Sequence, residues 1–235
     1  MAECAAGDTA CWVNEWEWKN RWYEAHGYFW DSGGWTRPDD PKMRDVGIAR
    51  DVLNEAGIHL TNGGWGPDYI MEMARGVARF GQKLAASGGF ARLRELLGAS
   101  VRVRDWDCGG GAACAPPVPV LFSWELWFPS SFALGDVAGN FVHELAHVID
   151  WNSFFSFSGR WGYAPLTDYA ANNNQFYPQS WDRWAEAVAV WVMGEFDASG
   201  AYGIKGTFPA LYPLASIPDL TVQLDRMSDL LNGRR

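Results

Sequence analysis

Long apolar runs are missing from this 235-residue chain. None reaches the roughly 18–20 residues that span a membrane. The longest candidate, Val118 to Leu134, is broken by Pro119, Glu125 and Pro129, so no membrane span is expected. Positive charge is also short: 19 Lys and Arg against 28 Asp and Glu leave a formal net charge of −9. A phosphate backbone wants a basic surface, so the balance argues against nucleic acid as a partner. Cysteine is sparse at four residues, and no Cys-x2-Cys pair exists, which argues against a cysteine-only zinc site. Repeats, linkers and low-complexity tracts are absent as well. The start, Met1-Ala-Glu-Cys4, has neither the basic n-region nor the apolar h-region of a signal peptide.

A mature secreted chain given a new start Met would look the same. The cysteines favour that reading: Cys108 and Cys114 flank Gly-Gly-Gly-Ala-Ala, a flexible loop that a disulfide can close, and Cys4 and Cys11 are seven apart. Four cysteines allow three pairings, and spacing does not choose among them. Stable disulfides are rare in the cytosol. The expected location is therefore secreted or cell-surface, with the signal peptide removed.

What is present suits a globular protein with a large core: 48% hydrophobic and 20% charged residues. Tryptophan is abundant at 15, and six fall in the first 40 residues: Trp12, Trp16, Trp18, Trp22, Trp30 and Trp35. Trp12/Trp16 and Trp18/Trp22 are i,i+4 pairs, so a helix from about Asp8 to His26 would carry aromatics on two faces. Packing onto the main domain as a staple is the preferred role. An aromatic platform for glycan or partner binding is the alternative. Residues 1–60 are read as a Trp-rich, mostly helical extension packed on the core, and 61–235 as the main domain.

The stretch Asp31 to Pro41 reads as a loop. Lys42 to Ala56 looks helical with Gly57 as its stop, and Leu60 to Pro67 is a glycine-rich turn region. Asp68 is placed as the cap of a helix running to about Ala86, and Ala91 to Leu97 is a short amphipathic helix. Ser100-Val-Arg-Val-Arg104 alternates with period two and reads as a strand. Val118 to Phe128 reads as an edge strand flanked by prolines, since proline cannot donate to an interior ladder. A helix follows, with Asp136 as its cap, then one starting near Ser180 and a last one from about Asp219 to Leu231. The order predicts an α+β fold with a small mixed sheet.

The chemistry concentrates at His143-Glu-Leu-Ala-His147. On a helix, positions i and i+4 share a face, so both imidazoles can meet one ion. Glu144 projects towards the same cleft, where it can reach a metal-bound water. A catalytic zinc usually has three protein ligands and one open position. The extended H-E-x-x-H-x-x-G-x-x-H pattern fails, because Asp150 and Ser153 stand at the glycine and last histidine positions. A carboxylate on a later helix remains. Asp182 and Glu186 are i,i+4, and apart from Glu186 every residue from Trp184 to Met193 is apolar. A carboxylate among such neighbours is expensive unless it meets a metal or a hydrogen-bond donor. The pair suggests two roles: one ligand, and one acceptor for the outer N–H of a ligating histidine.

Three stretches, His143-Glu-Leu-Ala-His147, Pro165-Leu-Thr-Asp-Tyr-Ala170 and Asp182-Arg-Trp-Ala-Glu186, together resemble the gluzincin zinc metallopeptidases, in particular the anthrax-lethal-factor-like branch. The resemblance covers roughly residues 120–195. It implies a zincin-like fold, Zn2+ as the cofactor and a peptide or protein substrate. It also implies that His143 and His147 bind zinc, that Glu144 is the general base and that Tyr169 stabilises the transition state. By position Asp182 matches the third ligand and Glu186 the acid that orients a ligating histidine, with Glu186 as the alternative ligand. The family usually has glutamate where Asp182 stands. Tyr169 lies 13 residues before Asp182, a longer gap than the pattern leads one to expect, and Tyr163 and Tyr177 are rivals for its role. The strand around Val118 to Phe128 would pair with an extended substrate, with Trp124 and Trp127 lining side-chain pockets.

A non-proteolytic module that keeps the zincin fold and binds protein or glycan through the Trp-rich region is the second reading. A zymogen, with the first 60 residues over the cleft, is a third. The oligomeric state is not set by the sequence.

Overall fold

The computed structural model describes residues 29–31, 34–36, 46–61, 63–109, 113–115, 123–132, 137–163, 165–166, 179–196, 202–203 and 220–233. The proposed Asp8–His26 helix, Cys4, Cys11, the Asp136 cap, Tyr169 and Tyr177 lie outside them.

Six α-helices occur among the described residues: α1 Val46–Glu55, α2 Pro67–Lys83, α3 Phe90–Leu97, α4 Val137–Asn152, α5 Gln179–Met193 and α6 Leu220–Leu231. The strands are β1 Phe29–Asp31, β2 Gly34–Thr36, β3 Ile58–Leu60, β4 Ser100–Arg104, β5 Ser123–Trp127, β6 Glu195–Phe196 and β7 Tyr202–Gly203. The fold is α+β.

The central sheet has the order β3-β4-β5 and both pairings are parallel. The expected mixed sheet is therefore a parallel one among the described residues, with an isolated antiparallel bridge from Cys114 to Trp127 at its edge strand. Strand β3 follows the expected helix stop at Gly57 and takes in Leu60, the first residue of the expected turn region. Three residues with a central histidine are too short to show a period. Part of the Asp31–Pro41 stretch is also strand, since Gly34–Thr36 pairs antiparallel with Phe29–Asp31. Both α1 and β3, which precede residue 61, join the later elements: α1 packs on α2 and β3 pairs with β4.

Period two is plain in β4, where Val101 and Val103 are buried while Arg102 and Arg104 point the other way. The register sets Val101 opposite Trp124 and Val103 opposite Leu126. Trp124 and Leu126 therefore share the core face, and Glu125 and Trp127 share the opposite face with the arginines. There Glu125 meets Arg104 at 3.0 Å and accepts from Trp127 Nε1 at 2.7 Å.

Helix α2 starts with Pro67 in its first turn after Gly66, where the missing N–H costs nothing. Asp68 sits inside that turn rather than at the cap. It acts on the helix dipole with Lys83 at the other end. The helix stops at Lys83, and Ala85–Ser87 forms a 3-10 turn. Helices α4 and α5 make the most extensive helix–helix contact, and α2 packs on both.

The α2–α4 crossing depends on Gly76. A Cβ there would stand 2.9 Å from the Ala138 carbonyl oxygen and 3.0 Å from Val142 Cγ2. Gly76→Ala forces the backbones apart, and overpacking of this kind costs about 1–3 kcal/mol. Thermal unfolding should show a midpoint lowered by roughly 2–10 °C. An unchanged midpoint would mean that the two helices separate without cost.

Candidate metal centre

Helix α4 is buried on nearly every side, from Val137 to Trp151. A helix apolar all round belongs in the middle of a domain, and its neighbours α2, α3, α5 and β5 account for this burial. Polar groups on such a helix are costly unless they are paired. Four sit there: His143, Glu144, His147 and Asp150.

His143 and His147 stand one turn apart, with their Nε2 atoms 3.1 Å from each other. Helix α5 crosses so that Asp182 Oδ1 lies 3.5 Å from His147 Nε2 and 3.8 Å from His143 Nε2. One turn further on, Glu186 Oε1 lies 2.7 Å from His143 Nδ1, on the side of the ring away from that cluster. Trp184, between the two acids, donates its Nε1–H to the Ala146 carbonyl at 3.2 Å and so pins α5 against the ligand turn of α4.

The donor set fits a tetrahedral cation. Bonds of ~2.1 Å at tetrahedral angles separate the donors by roughly 3.4 Å, and the three observed separations fall around that value. The Oδ2 of Asp182 and the Oε2 of Glu144 are buried with no hydrogen-bond partner. Buried polar atoms are nearly always satisfied, so orphaned oxygens on both carboxylates mark a place for a charged ligand. His143, His147 and Asp182 together form a group able to hold a metal ion.

The sequence-derived site residues that fall among the described ones have these places, and Tyr169 lies outside them. His143, Glu144, His147, Asp182 and Glu186 converge. Trp124 lies near them, its ring 6.1 Å from Trp151, which stacks on His147 at 6.0 Å. Trp127 does not. Three positions along a strand is an odd number, so Trp127 faces the opposite side of the sheet from Trp124. Tyr163 packs on Trp161, which meets Trp184 edge-on.

Two members of the site were not foreseen. Trp151 follows His147 by four residues, so helical spacing alone would have placed it on the ligand face. The second is a backbone group: the Ala115 N–H hydrogen-bonds the Glu144 carboxylate. No side-chain pattern announces such a donor.

Burial and charge move the titrations apart. His147 is pushed down to about 4, chiefly by burial. Burial also pushes His143 down, but the hydrogen bond and charge of Glu186, with Glu144 and Asp182 behind it, outweigh that and hold it at about 9. Burial raises Glu144 to about 7, against the lowering effects of the His143 charge and the Ala115 N–H. The carboxylates around His143 thus favour a proton on that ring, while burial disfavours one on His147. A metal ligand must be deprotonated. Ion uptake at pH 7.5 should release about one proton from His143, and affinity should rise with pH until about 9. Calorimetry in two buffers of different ionisation enthalpy reads this directly, and zero release would mean His143 is already neutral.

Cys108 and Cys114 form a disulfide, and no helix among the described residues is long and apolar enough to cross a membrane. Both are compatible with a place outside the cytoplasm. Compared with protein-family models, curated proteins and solved structures, the chain matches none.

Proposed function

We propose that this protein is a secreted or cell-surface zinc metallopeptidase of the gluzincin kind, on a zincin-like fold. The supporting observation is the division of labour between the two acids of α5. Asp182 faces the inner nitrogens of both histidines, while Glu186 takes the outer nitrogen of His143. That division gives three ligands plus an orienting acid, the set a catalytic zinc uses.

Zinc at this site would polarise the scissile carbonyl and lower the pKa of water towards 7. The residues supply the rest. His143 and His147 would hold the ion through their facing Nε2 atoms, and Glu186 holds the His143 ring in place. Glu144, whose buried Oε2 has no hydrogen-bond partner, would take the proton of the attacking water and return it to the leaving amine. Tyr169 is assigned the oxyanion hydrogen bond by resemblance alone. The substrate is a peptide or protein. Among the described residues, Trp124, half-buried on the metal side of the sheet, is an aromatic that a side chain of it would meet.

A casein digest tests the reading, with wild-type protein run before and after chelator and again with zinc restored. Cleavage should stop without metal and return with it. Zinc at one per chain with no peptide cut would favour the second reading, a non-proteolytic binding module. For that reading the relevant surface among the described residues is Trp106, 62% exposed and 6.4 Å from Trp127 on the far face of the sheet.

A further inference from the structure

Cys114 is the residue that crosses from the sheet to the metal centre. Its N–H donates to the Trp127 carbonyl at 2.9 Å, and Trp127 N–H donates back at 2.8 Å. In an antiparallel pair that exchanges both bonds, the next residue turns its N–H away from the partner strand. That next residue is Ala115. It is fully buried, and its N–H is the donor that reaches the Glu144 carboxylate.

The pairing at Cys114 is a single isolated bridge, not a ladder. Just before it the chain runs Gly109-Gly-Gly-Ala-Ala113, the least restrained composition a loop can have. The bond from Cys114 to Cys108 closes that run into a ring. Cys108 lies four residues beyond the end of β4. Asp105, three residues earlier, accepts from the N–H groups of Gly64 at 2.7 Å and Ser130 at 2.8 Å. The disulfide thus carries the rigidity of the central strand to Ala115.

We propose that the Cys108–Cys114 disulfide and Ala115 are positioning residues of the reaction centre: the crosslink holds the Ala115 N–H on Glu144 and so fixes where the base points its free oxygen. The inference rests on Glu144 acting as the base. It extends that reading to a crosslink and a backbone donor that bind neither metal nor substrate.

The test uses the zinc-loaded full chain and three variants. Amide exchange is read first. The Ala115 amide should exchange at least ~tenfold faster in Cys108→Ser/Cys114→Ser than in wild type. Glu144→Ala should speed Ala115 while leaving the Cys114 amide, which is bonded to Trp127, protected. Unchanged Ala115 exchange in both variants overturns the proposal. Peptide hydrolysis is read second. The double serine variant should keep its zinc and its KM within about twofold, while kcat falls on the order of tenfold or more, the signature of a misplaced group. Ala115→Pro removes the donor and keeps the disulfide, and it should show the same split. It also decides the matter if the serine variant does not fold. Wild-type kcat in either variant overturns the proposal. A wild-type protein that cuts no peptide would defeat the function proposed above, and the exchange result would still decide whether the disulfide holds Ala115 on Glu144.

Discussion

Glu144→Gln should leave zinc bound at one per chain and lower peptide hydrolysis by about 10²–10⁴-fold, the span attributed to a positioned general base. The substitution changes little else. Glutamine has the shape of glutamate, its amide oxygen can still accept from Ala115, and the ion's own donors, His143, His147 and Asp182, are untouched. What disappears is the capacity to hold a proton at the buried oxygen that has no other partner. Burial raises Glu144 to about 7 before any ion is bound, despite the opposing His143 charge. Rate and metal content measured on one preparation check this. More than about a tenth of the wild-type rate would put the base elsewhere.

Asp182→Ala should abolish metal retention, whereas Glu186→Ala should weaken it by only ~10–100-fold. The two acids lie one turn apart on α5 and both are buried, so neither composition nor exposure tells them apart. Geometry does. Asp182 Oδ1 is 3.5 and 3.8 Å from the two facing ring nitrogens, and losing it removes a donor from the ion itself. Glu186 is 2.7 Å from the outer nitrogen of His143, and losing it lets that ring turn. Competition against a coloured chelator gives both affinities. The reverse order would exchange the two roles.

The cluster was legible because its parts are local. Two i,i+4 pairs, His143/His147 and Asp182/Glu186, need only helical geometry to share a face, and only their meeting across α4 and α5 needed the structure. Strand β4 was legible for the same reason, through its alternation. Strand β3 was not, because three residues cannot display a period and parallel pairing is set by distant partners. The separation of Trp124 from Trp127 was implicit in their odd spacing, yet an aromatic-rich strand invites both into one pocket. The Ala115 donor had no side-chain signature at all. It depends on a bridge between residues 114 and 127, which local propensity does not encode.

The depth of the cluster also bears on rates. His147 is fully buried and Asp182 is 1% exposed, on the two helices that pack most extensively. An ion held between them leaves only when α4 and α5 part locally, and such openings are rare events drawn from the protein's own stability. Metal exchange should therefore be slow and steepen sharply with temperature. A brief exposure to chelator in the cold would leave the metal in place, and the half-time for stripping becomes a measure of how firmly two helices grip each other.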